Sequence, residues 1–303
     1  MSENKPARER SILTNIFVSP DEPRLRAGWR LLIQTITFIL FGVIMSIVAA
    51  LVGFDFGNVQ AATIFEQVLN IVAVTVSVYV ARRWLDKKSF ESLGLKLNQQ
   101  ALVDVLTGIG IAFVQMGFIY VIMLGFNWLT FEGFAWEFDP INEVIAGVLT
   151  FFVVFLFVGW NEELLSRGYH LQTIASGINL FWGVIISSAV FGLLHLGNPN
   201  ATWVSAAGIF FAGVYLAYGY IRTKQLWLPI GLHIGWNFCE GVVFGFPVSG
   251  LDIYALTRIQ VTGPEIWTGG AFGPEAGLIV LPSLLLGAGL IYWFTKSRAS
   301  VNI

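Results

Sequence analysis

The sequence predicts an all-α fold, a polytopic membrane helical bundle with about eight transmembrane helices. Hydrophobic residues make up 56% of the 303 residues and charged residues only 12%. An ordinary soluble domain carries about 25% charged residues, so this composition is typical of a membrane protein. Apolar runs of about 20 residues, the length that a helix needs to cross a bilayer, recur along the whole chain.

The predicted spans are separated by polar or Gly- and Pro-rich connections, and the distribution of Lys and Arg tests their number. The spans are roughly 31–53, 62–82, 106–129, 142–163, 179–197, 203–221, 226–246 and 277–294. With eight crossings, 15 of the 17 Lys and Arg residues fall on one side of the membrane. Arg167 belongs to the charged end of the fourth span, and Arg258 lies alone on the far side. The positive-inside rule therefore places both termini in the cytoplasm.

The fourth span ends in charged residues that such an apolar chain would be expected to avoid. Residues 141–158 hold one charge, and then "NEELLSR" brings Glu162, Glu163 and Arg167 within one turn and a half. Glu163 and Arg167 are four residues apart and can pair on one helix face. Glu162 is turned by about 100° from Glu163, so it can point elsewhere. This pattern predicts one carboxylate held by Arg167 and one left free.

Two later spans also present polar faces. "FGLLH" places Phe191 and His195 on one face, and "HIGWNFCE" places His233, Asn237 and Glu240 at i, i+4 and i+7. Taken singly, these groups fit ordinary interpretations: a salt bridge at a span end, a hydrogen-bonded packing histidine, a charge near a loop. Ionisable residues in a membrane are costly, and three helices with polar faces together predict a shared intramembrane site.

Three short motifs occur in order on these helices. "EELLSR" fits E-E-x-x-x-R, "FGLLH" fits F-x-x-x-H and "HIGWN" fits H-x-x-x-N. In this respect residues from about 100 to 245 resemble the CPBP family, the CAAX-prenyl-protease-type and bacteriocin-processing (Abi-like) intramembrane proteases. Glu240 is not part of the family pattern, and we predict separately that it lines the substrate cavity.

The resemblance implies a role for each matched residue. Glu162 would be the general base that activates a water together with His195, and His233 and Asn237 would hold the oxyanion. Glu163 and Arg167 would support the site, and Phe191 would pack against His195. Glu162 and His195 can meet only if the fourth helix runs beyond residue 163, because His195 would otherwise lie about 24 Å above that helix end. We therefore expect this helix to continue to about residue 174.

The predicted organisation has four parts. These are a cytoplasmic basic segment (1–30), two spans with a cytoplasmic connection (31–100), a CPBP-like protease core (101–246), and an extracytoplasmic, partly re-entrant Gly/Pro-rich loop followed by the last span (247–303). The expected partners are membrane lipids and, as the resemblance implies, a membrane-associated, prenylated or bacteriocin-like peptide. The net charge of −2 argues against nucleic acid. The resemblance implies a bacterial cell membrane.

The predicted function is that of an intramembrane endopeptidase. The alternatives are a proton-coupled carrier that uses the same buried groups, and a non-catalytic relative that acts as a scaffold. No cofactor is favoured, because Glu162, His195, His233 and Asn237 fill every role without a metal and H-E-x-x-H is absent. If a divalent zinc ion is bound, its ligands would be His195, His233 and Glu162.

Overall fold

The computed structural model describes residues 12–20, 22–51 and 59–299, and these residues form a bundle of long helices. Within the described ranges, 6 helices are long and apolar enough to cross a membrane. The predicted fold class is therefore confirmed, and the chain is an integral membrane protein. Lys5, Arg8 and Arg10 of the predicted N-terminal segment, and the last four residues of the chain, lie outside the described residues.

Each of the predicted spans overlaps one long helix. The long helices are α1 Ala27–Leu51, α2 Val59–Val80, α3 Gln99–Gly125, α4 Ile141–Glu163, α5 Leu180–Leu194, α6 Trp203–Thr223, α7 Trp227–Asn237 and α8 Val280–Ala299. Helices α1 to α6 account for the 6 candidate crossings. Whether α7 and α8 also cross stays a prediction.

Shorter elements extend or connect the long helices. The α-helical pieces are Ile12–Phe17, Leu171–Gly177 and Glu265–Thr268. The π-helical pieces are Ala81–Leu85, Leu164–His170 and Phe238–Val243. The 3₁₀ turns are Phe90–Leu93, Ala135–Glu137, His195–Gly197, Gly270–Phe272 and Pro274–Ala276.

Helix α4 does not stop at its last charged residues. The π-helical and α-helical pieces that follow it form a continuous run of 37 residues, Ile141–Gly177. The expected continuation to about residue 174 is confirmed. Glu162 lies fifteen residues before Gly177, and His195 lies fifteen residues after Leu180, where α5 begins. At 1.5 Å per residue both side chains start about 22 Å from the same turn, so they lie at the same height.

Side-chain caps set where several helices begin. The side chain of Asn98 accepts a hydrogen bond from the backbone of Ala101 at the start of α3. The side chain of Asn179 caps the start of α5 in the same way, by accepting from a backbone N–H of that helix. At α6, Thr202 and Ser205 cap each other reciprocally. Each cap satisfies one of the backbone N–H groups that a helix leaves without a partner, which fixes the height at which the helix enters the bundle.

Glycines allow α3 and α7 to pack closely. A Cβ atom on Gly231 would lie 2.2 Å from the carbonyl oxygen of Val105, and one on Gly108 would lie 2.5 Å from the backbone nitrogen of Leu232. Gly235, one turn further along α7, is equally close to α3. Small residues four apart let two membrane helices approach until their backbones touch. The stretch from Gly231 to Gly235 includes His233, so this contact also positions a candidate site residue.

The main hydrophobic core lies among α3, α6, α7 and α8. Its fully buried members include Met116, Ile119, Met123, Leu228, Leu232 and Ile291. Lipid-facing residues dominate α1, where Ile39, Leu40 and Ile47 are each more than half exposed. An apolar surface of this kind is stable only against lipid, which agrees with the membrane assignment.

A two-stranded sheet joins two connections that the sequence did not predict to meet. Strand β1, Leu129–Phe134, pairs with strand β2, Thr257–Val261, in antiparallel register with an irregularity at Gly133. Both strands are rich in aromatic, β-branched and Thr residues, which favour extended backbone. Its hydropathy places Leu129 in the predicted third span. An apolar residue at the end of a helix and one at the start of a strand have similar hydropathy, so the pattern does not separate them.

A buried ionic cluster ties the first two helices to the rest of the bundle. Asp86 is 3% exposed. Its carboxylate forms ion pairs with Arg30, with Arg82 at 3.0 Å between Nη1 and Oδ2, and with Arg24 at 3.7 Å. Arg30 also donates a 2.8 Å hydrogen bond to the hydroxyl of Ser176, at the end of the α4 extension. These arginines therefore act as structural partners as well as positive charges.

We expect Gly231→Ala to lower the free energy of unfolding by about 1–3 kcal/mol, because the new methyl group forces α7 away from α3. The control is Gly110→Ala, since Gly110 lies on α3 with nothing within 4 Å of its Cβ position. Alanine there should be neutral or stabilise the helix by up to about 1 kcal/mol. Thermal unfolding in one detergent measures both. Equal stability of the two variants would show that the helices do not pack this closely.

Candidate active site

A cavity of about 300 Å³ lies among α4, α5, α6, α7 and the segment between α7 and α8. Its polar lining consists of Glu162, His195, Asn198, His233, Asn237, Ser249 and Glu275, with Gln67 contributed by α2. The apolar lining includes Phe151, Val154, Phe155, Val158, Leu232 and Ile253. The cavity is therefore amphipathic, with the candidate chemical groups gathered against one part of its wall.

Glu162 lies between two histidines from different helices. Its Oε2 atom is 3.8 Å from Nε2 of His195 and 3.7 Å from Nε2 of His233. The side chain is one third exposed to the cavity. Both separations are longer than a direct hydrogen bond, so the three groups face one another across a short gap.

The orientation of His195 follows from its backbone partner. Its Nδ1 atom lies 2.8 Å from the carbonyl oxygen of Phe191. A carbonyl oxygen can only accept, so Nδ1 carries the proton and donates it. In the neutral imidazole this leaves the lone pair on Nε2, the atom that faces Glu162.

Glu163 is held by two partners and is completely buried. Its Oε1 atom lies 2.7 Å from Nη1 of Arg167 and 2.8 Å from Nδ1 of His233. Arg167 is 1% exposed and also donates a 3.1 Å hydrogen bond to the carbonyl oxygen of Gly213 on α6. The two adjacent glutamates are therefore in different environments, with Glu163 paired behind the wall and Glu162 facing the cavity.

Phe191 fills the space between the ion pair and the histidines. Its ring centroid is 4.7 Å from that of His195 and 6.1 Å from that of His233. The guanidinium carbon of Arg167 lies 4.3 Å from the centroid, in cation–π contact. The ring separates Arg167 from His195 and limits the orientations that both can adopt.

Asn237 lines the cavity, but Glu240 does not. Asn237 follows His233 by one helical turn, and both side chains reach the same space. Glu240 is fully buried behind the wall, and neither of its carboxylate oxygens has a hydrogen-bond partner. The chain changes from α-helix to π-helix at Phe238, and the wider i to i+5 turn moves Glu240 off the face that α-helical spacing predicts. The structure thus differs from the expectation that Glu240 lines the cavity.

π-Helical segments follow both groups of polar residues. One begins directly after Glu163, and the other begins directly after Asn237. Such segments are uncommon and occur frequently at functional sites, because they redirect side chains without ending the helix. Sequence periodicity cannot reveal them, since it assumes 3.6 residues per turn.

Ser249 and Glu275 are lining residues that the motifs did not indicate. The backbone nitrogen and the hydroxyl of Ser249 donate to Oε2 of Glu275 at 3.0 and 2.6 Å. Burial raises the pKa of Glu275 above its ordinary value, and the hydrogen bonds from Ser249 and the nearby histidines oppose that shift. The only indication in the sequence was the Gly- and Pro-rich composition of this loop, which suggested a partly re-entrant segment.

Whether the site can bind a metal ion depends on how its donor side chains are arranged. Within the described part of the chain, no group of three or more His, Cys, Asp or Glu side chains is arranged to hold a metal ion. The residues that the sequence named as zinc ligands, Glu162, His195 and His233, face one another but do not form such a group.

We expect Arg167→Met to lower the free energy of unfolding by about 3–5 kcal/mol, because it leaves Glu163 buried with its main ionic partner removed. The double variant Glu163→Gln with Arg167→Met should regain part of that loss, since no uncompensated charge then stays buried. Denaturant unfolding of the detergent-solubilised protein measures both. A double variant no more stable than Arg167→Met would contradict a strong ion pair.

Comparison with known proteins agrees with the motifs. Residues 144–239 match the family described as type II CAAX prenyl endopeptidase Rce1-like. A protein of Bacillus subtilis (strain 168), named "Putative membrane peptidase YdiL", is 28% identical over 124 residues. The alignment covers 41% of this chain and 49% of that relative, so about half of the relative's length is spanned. The match and the ordered motifs around one cavity thus agree in showing that residues 144–239 are similar to this family of membrane endopeptidases.

Proposed function

We propose that this protein is an intramembrane endopeptidase that hydrolyses a peptide bond of a membrane-associated or lipidated protein or peptide. The observation that carries the proposal is the Glu162 carboxylate facing the Nε2 atoms of two histidines, at 3.7 and 3.8 Å, inside an amphipathic cavity. The Rce1-like match and the peptidase name of the Bacillus subtilis relative support it.

Glu162 and His195 are the proposed groups that activate water. One water molecule that lies in the cavity beside these two atoms can donate one hydrogen bond to Oε2 of Glu162 and the other to Nε2 of His195. Glu162 takes a proton as the water oxygen bonds to the substrate carbonyl carbon. Glu162 then returns that proton to the amide nitrogen, the C–N bond breaks, and a carboxylic acid and an amine are released.

His233 and Asn237 are the proposed donors to the oxyanion that forms on the carbonyl. Glu163 holds the Nδ1 atom of His233 at 2.8 Å, so Nε2 points into the cavity and, when it carries a proton, can donate. The amide of Asn237 lies one helical turn away on the same cavity wall. Donors fixed before the reaction begins stabilise the transition state most, and the buried pair of Glu163 and Arg167 supplies that rigidity.

The cavity supports an apolar or lipid-modified substrate. Four residues of α4, namely Phe151, Val154, Phe155 and Val158, form a continuous apolar wall that leads to Glu162. Such a wall binds an apolar side chain or an acyl or prenyl chain by the hydrophobic effect, while the polar groups orient the peptide bond. Prenylated and bacteriocin-like peptides both satisfy this requirement.

The proposed reaction uses no metal ion. With His195 and His233 as metal ligands, Asn237 would be the only oxyanion donor among the motif residues. Without a metal, the four polar residues divide between activation of water and stabilisation of the oxyanion. These two roles account for every motif residue that reaches the cavity.

We expect Glu162→Gln to lower the cleavage rate by roughly 10²–10⁴-fold, because it removes the base and keeps the shape. The control is Glu143→Gln, an exposed carboxylate at the start of the same helix. The assay is cleavage of a peptide library by protein purified in detergent, with thermal unfolding to show that both variants are folded. Full activity of Glu162→Gln would refute the mechanism, and activity lost to a chelator and restored by zinc would refute its metal independence.

We infer that both termini are cytoplasmic and that the membrane is a bacterial cell membrane, as the distribution of Lys and Arg and the bacterial relative suggest. Lys88 lies in the connection before α3 and Glu132 in strand β1 after it, and both are exposed. In a Cys239→Ala background, an impermeant maleimide applied to intact cells should label Glu132→Cys at once and Lys88→Cys only after permeabilisation. The reverse order of labelling would overturn the orientation.

A further inference from the structure

The cavity contains a second carboxylate, Glu275, which lies outside the family-matched residues 144–239. We propose that Glu275, oriented by Ser249, binds a positively charged nitrogen of the substrate, either a lysine ammonium or the free N-terminal ammonium. This subsite would set the sequence preference of the enzyme. The inference rests on the proposed endopeptidase function.

One oxygen of Glu275 is fixed and the other is free to bind. Oε2 accepts the two hydrogen bonds from Ser249, at 2.6 and 3.0 Å. Oε1 accepts no hydrogen bond from the described residues, although the side chain is only 5% exposed and borders the cavity. A carboxylate that is buried with half of its acceptor capacity unused is stabilised by a partner that donates hydrogen bonds and carries positive charge.

The loop that carries Ser249 is held in place. The side chain of Asn198 donates a 3.0 Å hydrogen bond to the carbonyl oxygen of Ser249. The backbone nitrogen of Gly250 donates to the carbonyl oxygen of Phe272 at 2.8 Å. Gly250 has φ of +85°, and a Cβ there would lie 1.8 Å from the carbonyl oxygen of Pro199, so only glycine fits. The acceptor is therefore set before a substrate arrives, which is what selective binding requires.

The charges around Glu275 favour a cation over an anion. The residues that line the cavity include two carboxylates and two histidines, and none of them is Lys or Arg. Arg167 is turned away and paired with Glu163 behind the wall. An anionic substrate group would meet two carboxylates here, whereas an ammonium would complete the hydrogen bonding of Glu275.

A purely structural role for Glu275 makes a different prediction. If Glu275 only braces Ser249, then Glu275→Gln should lower stability and slow the cleavage of all peptides alike. A cation subsite instead raises KM for cationic peptides alone. The comparison between charged and uncharged substrates therefore separates the two roles.

The experiment uses peptide pairs that differ only in lysine against norleucine at one position, scanned along the peptide, each with a free or an acetylated N-terminus. The enzymes are the wild type, Glu275→Gln, Ser249→Ala and the control Glu265→Gln, an exposed carboxylate of the same loop. The wild type should show a KM at least tenfold lower for the cationic member at one position or at the N-terminus. Glu275→Gln should abolish that difference with kcat within about twofold, Ser249→Ala should reduce it, and Glu265→Gln should keep it.

A wild type without charge preference, or a Glu275→Gln enzyme that keeps it, would overturn the subsite. If Glu275→Gln does not fold, the wild-type preference and its reduction in Ser249→Ala decide the question. A wild type that cleaves none of the peptides would count against the endopeptidase proposal instead. In that case, fluorescence anisotropy of the lysine and norleucine peptides on the wild type and Glu275→Gln still tests the subsite by the ratio of their Kd values.

Discussion

The arrangement of the site depends on one buried carboxylate, that of Glu163. Removing an ion from water costs several kcal/mol, so a buried Glu163 persists only while its partners stay in place. Those partners are Arg167 on the continuation of α4 and His233 on α7. Arg167 in turn contacts Phe191 on α5 and Gly213 on α6. A single ionic group thus links four helices, and displacement of α5, α6 or α7 would remove one of its contacts.

The position of Glu162 follows from this constraint together with the length of α4. Because α4 continues to Gly177, Glu162 and His195 lie at equal distances from the turn between α4 and α5. The close contact of α3 with α7 at Gly231 brings His233 to the same point from the other side. The ionic group fixes the directions in which the site side chains point, and the helix lengths fix their heights in the bundle. Neither alone would bring a carboxylate and two Nε2 atoms within 4 Å of a common point.

Much of this could be predicted from the sequence, because hydropathy and side-chain spacing are local properties. The helical class and each motif depend on residues within one helix, and the long α4 follows from requiring that Glu162 and His195 meet. The pairing of β1 with β2 joins segments more than 120 residues apart, and no local pattern encodes it. Glu240 was misplaced for a different reason. The prediction assumed α-helical spacing, and the chain becomes π-helical two residues before it.

The cavity is built by two parts of the chain that differ in what the sequence reveals of them. The family-matched residues supply Glu162, His195, His233 and Asn237, the residues proposed for proton transfer and oxyanion binding. The segment between α7 and α8 supplies Ser249 and Glu275, whose positions depend on turns and on glycine at Gly250. Chemistry restricts residue type and spacing, so the first part forms a motif. Recognition requires only that a suitable group reach the cavity, so the second part has no motif, and the structure is needed to find it.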